Sequence, residues 1–268
     1  MRDSALQGKY NDLLQILKGY GRLAVAFSGG VDSTFLLKAA NQALGRNVLA
    51  ITAHSEFFPR REMAEARDFC NSEGIDQFIL YEKVLEIEGI RNNPPDRCYL
   101  CKKNLFTKIL ELSHSRGFDT VAEGSNLDDL SDFRPGMKAI AELGIQSPLK
   151  AAQLTKSEIR ALSKKLGLKT FDKPSFACLA SRFVHGEIIS EKKLEMVDRA
   201  EELLLRLGFS QFRVRIHGED LARIEVPKSE LEKLINNSDL IVSEFKDLGF
   251  HYVSADLGGY RTGSMNPS

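Results

Sequence analysis

The most constraining stretch of the chain is Ser28-Gly29-Gly30-Val31-Asp32-Ser33, set between an apolar run at 23–27 and a helical pattern at 31–44. Paired glycines directly before a helix let a ligand approach the backbone, and the free N–H groups and dipole of that helix end favour phosphate. Ser28 and Ser33 add hydroxyl donors. Asp32 is anionic, so its functional role there would be to hold Mg2+ against a phosphate rather than to touch one. The string lacks the Lys-Ser/Thr ending of a Walker loop and the spacing of a dinucleotide fingerprint. The alternative is a tight turn with a well-capped helix. At average residue frequencies the pattern arises by chance in roughly one chain per few thousand, which favours the phosphate loop.

Around this loop the pattern alternates. Strand-like runs at 23–27, 48–52, 77–80 and 120–122 are separated by helical periodicities at 31–44, 60–73 and 105–115, with a further helix at 157–166. Such alternation implies crossover units and an α/β fold with a doubly wound parallel sheet. After about residue 186 the order changes to a long helix at 191–207, strands at 212–216 and 221–226, helical stretches near Glu230 and Glu244, and a strand at 252–255. The expectation is therefore a nucleotide domain at 1–185 and a smaller α+β domain at 186–268, with a Gly/Ser/Pro-rich tail at 259–268 predicted to be disordered.

Charge limits the partners. With 37 basic and 37 acidic residues the chain is formally neutral, which argues against a protein that coats nucleic acid or an anionic membrane. No apolar run approaches the roughly 20 residues of a spanning helix, and no secretory signal is visible, so a reducing, cytoplasmic setting is expected. Beneath the zero, residues 147–185 hold eight Lys/Arg against Glu158 and Asp172. Lys164 and Lys165 read as a solvated helix face; Lys173 and Arg182, which flank a cysteine segment, read as facing an anionic partner.

The four cysteines are too few for a disulfide scaffold. Cys70 lies on the apolar face of a helical pattern and reads as core. Cys98 and Cys101 form a C-x-x-C, and Cys178 follows in Pro174-Ser175-Phe176-Ala177-Cys178-Leu179-Ala180-Ser181-Arg182. Structural zinc wants four ligands and no histidine stands at zinc spacing, whereas three thiolates suit an iron–sulfur cluster with one open iron. A redox dithiol, a labile disulfide and thiols with no joint role stay open on the residues alone.

The glycine loop resembles the pyrophosphate loop of the PP-loop ATPases, a superfamily that splits ATP between its α- and β-phosphates and adenylates an oxygen of the substrate. The resemblance implies that Ala26, Ser28, Gly29, Gly30, Asp32 and Ser33 contact ATP, with Thr52 and Ser55 near the adenine. After the fourth strand, Glu123-Gly124-Ser125-Asn126-Leu127-Asp128-Asp129 would sit at the carboxyl edge of the sheet. Gly124 and Asn126 would approach the nucleotide, and Asp128 or Asp129 would either assist Mg2+ or cap a helix.

Within that superfamily the chain is similar to the LarE-type sulfur transferases over about residues 10 to 257. The likeness is carried by the loop, by Arg97-Cys98-Tyr99-Leu100-Cys101-Lys102, by Gly124-Ser125-Asn126 with Asp132-Phe133-Arg134-Pro135-Gly136, by Lys173-Pro174-Ser175 with Cys178 to Arg182, and by Phe212-Arg213-Val214-Arg215. It implies an enzyme that adenylates the carboxylates of a pyridinium biscarboxylic acid mononucleotide and converts them to thiocarboxylates for a nickel-pincer cofactor. In one subtype a cysteine matching Cys178 gives up its own sulfur; in the other, three cysteines hold a 4Fe–4S cluster. The presence of Cys98, Cys101 and Cys178 points to the cluster subtype. Arg213 and Arg215 would clamp the substrate phosphate with Ser181 and Arg182, the alternative for the arginine pair being a solvated strand face paired with Glu225. The family also implies a homo-oligomer, a hexamer by analogy. A tRNA thiolase and an ammonia-using synthetase are the competing enzymes.

Overall fold

Residues 2–130, 135–174, 177–261 and 265 are described by a computed structural model. Asp132, Phe133, Arg134, Ser175 and most of the Gly/Ser/Pro-rich tail lie outside them. The chain divides into two compact units. One comprises residues 1–55, 60–82 and 98–176; the other comprises 56–59, 83–97 and 177–268.

The first unit is built on four parallel strands, β1 (Leu23–Ala26), β2 (Val48–His54), β3 (Asp76–Tyr81) and β4 (Thr120–Ala122), in the order β3-β2-β1-β4. Alternate residues of each strand enter opposite layers, as a two-residue side-chain period requires. Leu23, Val25, Val48 and Ala50 pack in one apolar core, while Ala24, Leu49, Ile51 and Val121 pack in the other. The first core is completed by α1 (Arg2–Gly19), α2 (Val31–Leu44) and α3 (Arg60–Glu73). The second takes Phe106 and Ile109 of α4 (Arg97–Ser115) and Ile140 of α5 (Pro135–Glu142). Leu23–Val25 of β1 and Val48–Ile51 of β2 are buried apolar runs, as strands covered on both faces require, whereas the edge strand β3 is only partly buried. The short α6 (Pro148–Ala151) and α7 (Lys156–Lys165) return to the first layer, where Leu149, Ile159 and Leu162 are buried.

A full capping box starts α7. Thr155 accepts the Glu158 backbone N–H, and Glu158 reaches back to the Thr155 N–H at 2.9 Å. Helix α4 begins eight residues earlier than the apolar periodicity at 105 suggests, so Cys98 and Cys101 stand on its first turns.

In the second unit α8 (Glu191–Arg206), with Ser190 capping its first turn, packs on a mixed sheet of β5 (Arg213–His217), β6 (Leu221–Glu225) and β7 (Tyr252–Ala255). Strands β5 and β6 are antiparallel, β6 and β7 parallel. Helices α9 (Leu231–Asn236) and α10 (Ser238–Leu248) connect the last two strands. No described helix is long and apolar enough to cross a membrane.

Candidate active site

Strand β1 ends at Ala26, and the Phe27 N–H donates to the Ile51 carbonyl at 2.9 Å, so the glycine loop leaves the carboxyl edge of the sheet. Gly29 turns the chain at φ 73°, in the left-handed region that suits glycine. Gly30 then caps α2 in extended conformation. The Ser28 and Ser33 hydroxyls meet at 3.0 Å across the loop, and the Gly30 N–H points at Ser28 Oγ at 3.4 Å. The loop is thus closed by its two serines, with the amino end of α2 at its base.

Gly124 comes against this turn from β4. A Cβ there would stand 3.0 Å from the Ser33 nitrogen and 3.2 Å from the Asp32 carbonyl carbon, so any larger residue would require the main chain of the loop to give by a few tenths of an ångström. Next to it Asn126 is buried: its Oδ1 accepts the Asp128 N–H at 2.9 Å and its own N–H donates to Asp129 Oδ2 at 2.9 Å. The Asp128 carboxylate accepts the Lys156 backbone N–H at 2.8 Å. Both aspartates therefore tie backbone groups of this corner together. Thr52 and Ser55 are buried at the end of β2, where Thr52 Oγ1 accepts from Gln77. Of the expected nucleotide residues, the loop, Asp32 and Gly124 are in mutual contact.

Two lysines complete the corner. Lys156, at the first position of α7, reaches Asp32 Oδ2 at 2.5 Å, while Asp32 Oδ1 is buried with no partner among the described residues. An orphaned carboxylate oxygen beside a phosphate-type loop fits a divalent cation. Lys173 donates to the Gly29 carbonyl at 3.1 Å and pairs with Glu62 and Glu65, each at 2.6 Å. Its charge is committed to the loop itself rather than left facing outward. Lys156 was invisible to motif reading; its one signal is the capping box at Thr155 and Glu158 that fixes where α7 starts. Glu123 was missed as well: its buried carboxylate receives the hydroxyls of Ser125 at 2.7 Å and Ser147 at 2.6 Å.

In the second unit Cys178 precedes a single turn of 3-10 helix at Leu179–Arg182. Arg182, expected to face substrate, is instead wholly buried: its fork meets the Glu201 carboxylate at 2.8 and 2.7 Å, and its third nitrogen reaches the Ala177 and Cys178 carbonyls and Ser181 Oγ. Burial alone would raise the Glu201 carboxyl, but the adjoining Arg182 guanidinium outweighs it and holds Glu201 ionised, below the usual range. Arg215 pairs with Glu225 at 2.8 Å and donates to the Ser181 carbonyl at 2.9 Å. The Glu225 pairing foreseen for a solvated strand face occurs, but in a buried setting. Arg213 is buried beside the Tyr260 ring; burial first, then the charge of Arg182, lower its pKa. Arg182 pairs with Glu201 and Arg215 with Glu225, which Arg223 also approaches at 3.3 Å, so β5 gathers guanidinium groups of the kind that bind phosphate.

All four cysteines are thiols rather than disulfides; Cys70 is buried, Cys98 exposed, and Cys101 and Cys178 intermediate. Cys98 and Cys101 lie one helical turn apart on α4. Among the described residues no three His, Cys, Asp or Glu side chains gather as a metal-holding group.

No family model matches the chain. Among curated proteins it is 37% identical over 264 residues to the pyridinium-3,5-bisthiocarboxylic acid mononucleotide synthase of Lactiplantibacillus plantarum, covering 98% of this chain and 95% of that protein. The chain belongs to this LarE family. Another relative, the uncharacterized protein slr1717 of Synechocystis sp., is 40% identical over 97% of this chain and 98% of its own. A more distant one, the argininosuccinate synthase of Thermoplasma volcanium, is 26% identical over 82% of this chain and 60% of its own. LarE membership makes the chain an enzyme, an ATP-dependent sulfur transferase, and accounts for a phosphate-type loop at the carboxyl edge of a parallel sheet.

Proposed function

We propose that the enzyme adenylates the carboxylates of a pyridinium biscarboxylic acid mononucleotide and replaces a carboxylate oxygen with sulfur, forming thiocarboxylates for a nickel-pincer cofactor. The observation that carries this reading is the identity with the Lactiplantibacillus plantarum synthase along nearly the whole of both chains. A carboxylate is a poor electrophile. Its oxygen attacks the α-phosphorus of ATP, pyrophosphate leaves, and the acyl-adenylate then offers AMP as leaving group to a sulfur nucleophile.

In this reading Ala26, Ser28, Gly29, Gly30, Ser33, Thr52, Ser55, Gly124 and Asn126 bind ATP. Asp32, with its orphaned oxygen, holds Mg2+, helped by Asp129. Ser181, Arg213 and Arg215 receive the substrate phosphate, a task suited to guanidinium groups on one strand. The unit built on β1 to β4 would serve the nucleotide, and the unit holding Cys178, Ser181 and β5 the substrate and the assembly of a homo-oligomer.

Sulfur enters at Cys178. The donor set Cys98, Cys101 and Cys178 suits a 4Fe–4S cluster in chemistry, since thiolates are its ligands and two of them share one helix turn. Such a cluster, when bound, would supply an open iron able to carry sulfide. In a second reading Cys178 gives up its own sulfur, which needs no other cysteine as ligand. Anaerobic purification with iron and sulfide analysis, followed by the protein mass after turnover, separates them. Iron with an unchanged mass supports the cluster. A colourless protein that has lost one sulfur at Cys178 overturns it.

A further inference from the structure

We propose that Arg182 and Glu201 are positioning residues, which lock the Cys178 segment to the arginine strand β5 so that sulfur donor and substrate phosphate are held in one frame. The inference rests on the sulfur-transfer reading above and goes beyond it, since neither residue need touch the substrate.

The geometry is a three-way tie. Arg182 and Glu201 have side chains 0% exposed, and they meet fork to fork. The remaining Arg182 nitrogen donates to the carbonyls of Ala177 at 2.7 Å and Cys178 at 3.1 Å, and to Ser181 Oγ at 2.8 Å. Glu201 Oε1 also accepts the backbone N–H of Val214 at 3.1 Å. Val214 stands between Arg213 and Arg215 on β5, and Arg215 returns to the Ser181 carbonyl at 2.9 Å. One ion pair thus joins the cysteine segment, α8 and β5.

A buried ion pair retained only for folding would be replaceable, because well-packed apolar residues of similar volume often serve stability as well or better. This pair does what such residues cannot. A guanidinium fixes two backbone carbonyls at the cysteine, and a carboxylate fixes the strand amide between the two arginines. Lysine keeps the charge but has no planar fork with which to hold carboxylate and carbonyls together.

The test uses the full chain as the double variant Arg182→Met/Glu201→Leu and the single variant Arg182→Lys. Thermal unfolding and ATP affinity are measured first. Iodoacetamide labelling of Cys178, followed by peptide mass, then reports the local setting of the thiol without any substrate. Thiocarboxylate formation gives kcat and KM. The expected result is a folded double variant with unchanged ATP affinity and a labelling rate shifted several-fold. Its kcat falls by about a hundredfold, the order expected for a misplaced reacting group. Arg182→Lys is expected to fall between the two proteins. A folded double variant with the wild-type labelling rate and kcat overturns the proposal. Should the double variant fail to fold, the same readouts on Arg182→Lys decide, and wild-type values there overturn it. Absence of thiocarboxylate from the wild-type protein would instead count against the sulfur-transfer reading, leaving the labelling comparison to judge the tie.

Discussion

Gly124 lies so close to the first turn of α2 that a Cβ on it would stand 3.0 Å from the Ser33 nitrogen. Two segments far apart in sequence therefore meet backbone to backbone at the amino end of one helix. Gly124→Ala must push the β4 exit or the loop aside, because the atoms it meets are main chain. The expected outcome is a loss of ATP affinity of about tenfold or more, with modest change in unfolding temperature. Isothermal titration with Mg-ATP checks it, and wild-type affinity would sink the idea.

Asp32 and Lys156 form a partly exposed pair, with side chains 23% and 27% accessible. Pairs of that exposure contribute about 1 kcal/mol or less, so Lys156→Met is expected to leave urea stability nearly unchanged. Asp32→Asn keeps the size of the side chain but removes the charge that would hold a cation. We expect it to weaken Mg-dependent ATP binding while leaving metal-free nucleotide binding intact. Titrations with and without Mg2+ separate the two effects.

Thr155→Ala removes half of the capping box of α7, and losing such a cap costs about 1 kcal/mol. Because this cap also sets the position of Lys156, the variant is expected to show that loss in urea unfolding together with a small drop in ATP affinity. Stability equal to wild type would show that the box contributes nothing.

Cys70 gives a pH signature. Burial pushes its thiol up to about 12, against about 8.5 for an unfolded cysteine. The folded state holds this proton more tightly, so the resulting stability is complete below about pH 8.5 and is lost as pH rises toward 12. The stability gap between wild type and Cys70→Ala is expected to narrow across that window. In the native protein at neutral pH, iodoacetamide should label exposed Cys98 and spare Cys70.

Much of this was legible in the sequence, and the boundary is physical. The strand–glycine–helix junction at 23–44 was readable because apolar periodicity and loop chemistry are local, and β1 and α2 formed with nearly those limits. Gly124 stood out in the sequence after the fourth strand, though its contact with Ser33 did not. Helix α1 escaped notice, although Leu6, Leu13 and Leu17 recur at helical spacing. The start of α4 escaped because Arg97, Lys102 and Lys103 interrupt the apolar periodicity there. Arg182 was read as a ligand because a positive charge near a cysteine looks available. Its partner Glu201 is nineteen residues on and reaches it only when α8 packs on β5, which no local pattern encodes.

ATP-dependent exchange of carboxylate oxygen for sulfur is read from its products. The purified chain is incubated anaerobically with Mg-ATP, a sulfide source and pyridinium-3,5-biscarboxylic acid mononucleotide, and AMP, pyrophosphate and substrate mass are followed together. AMP and pyrophosphate are expected to appear only with the mononucleotide present, matched by the mass change of an oxygen-to-sulfur replacement. Formation of ADP and phosphate instead, or AMP release with no dependence on the mononucleotide, would contradict it.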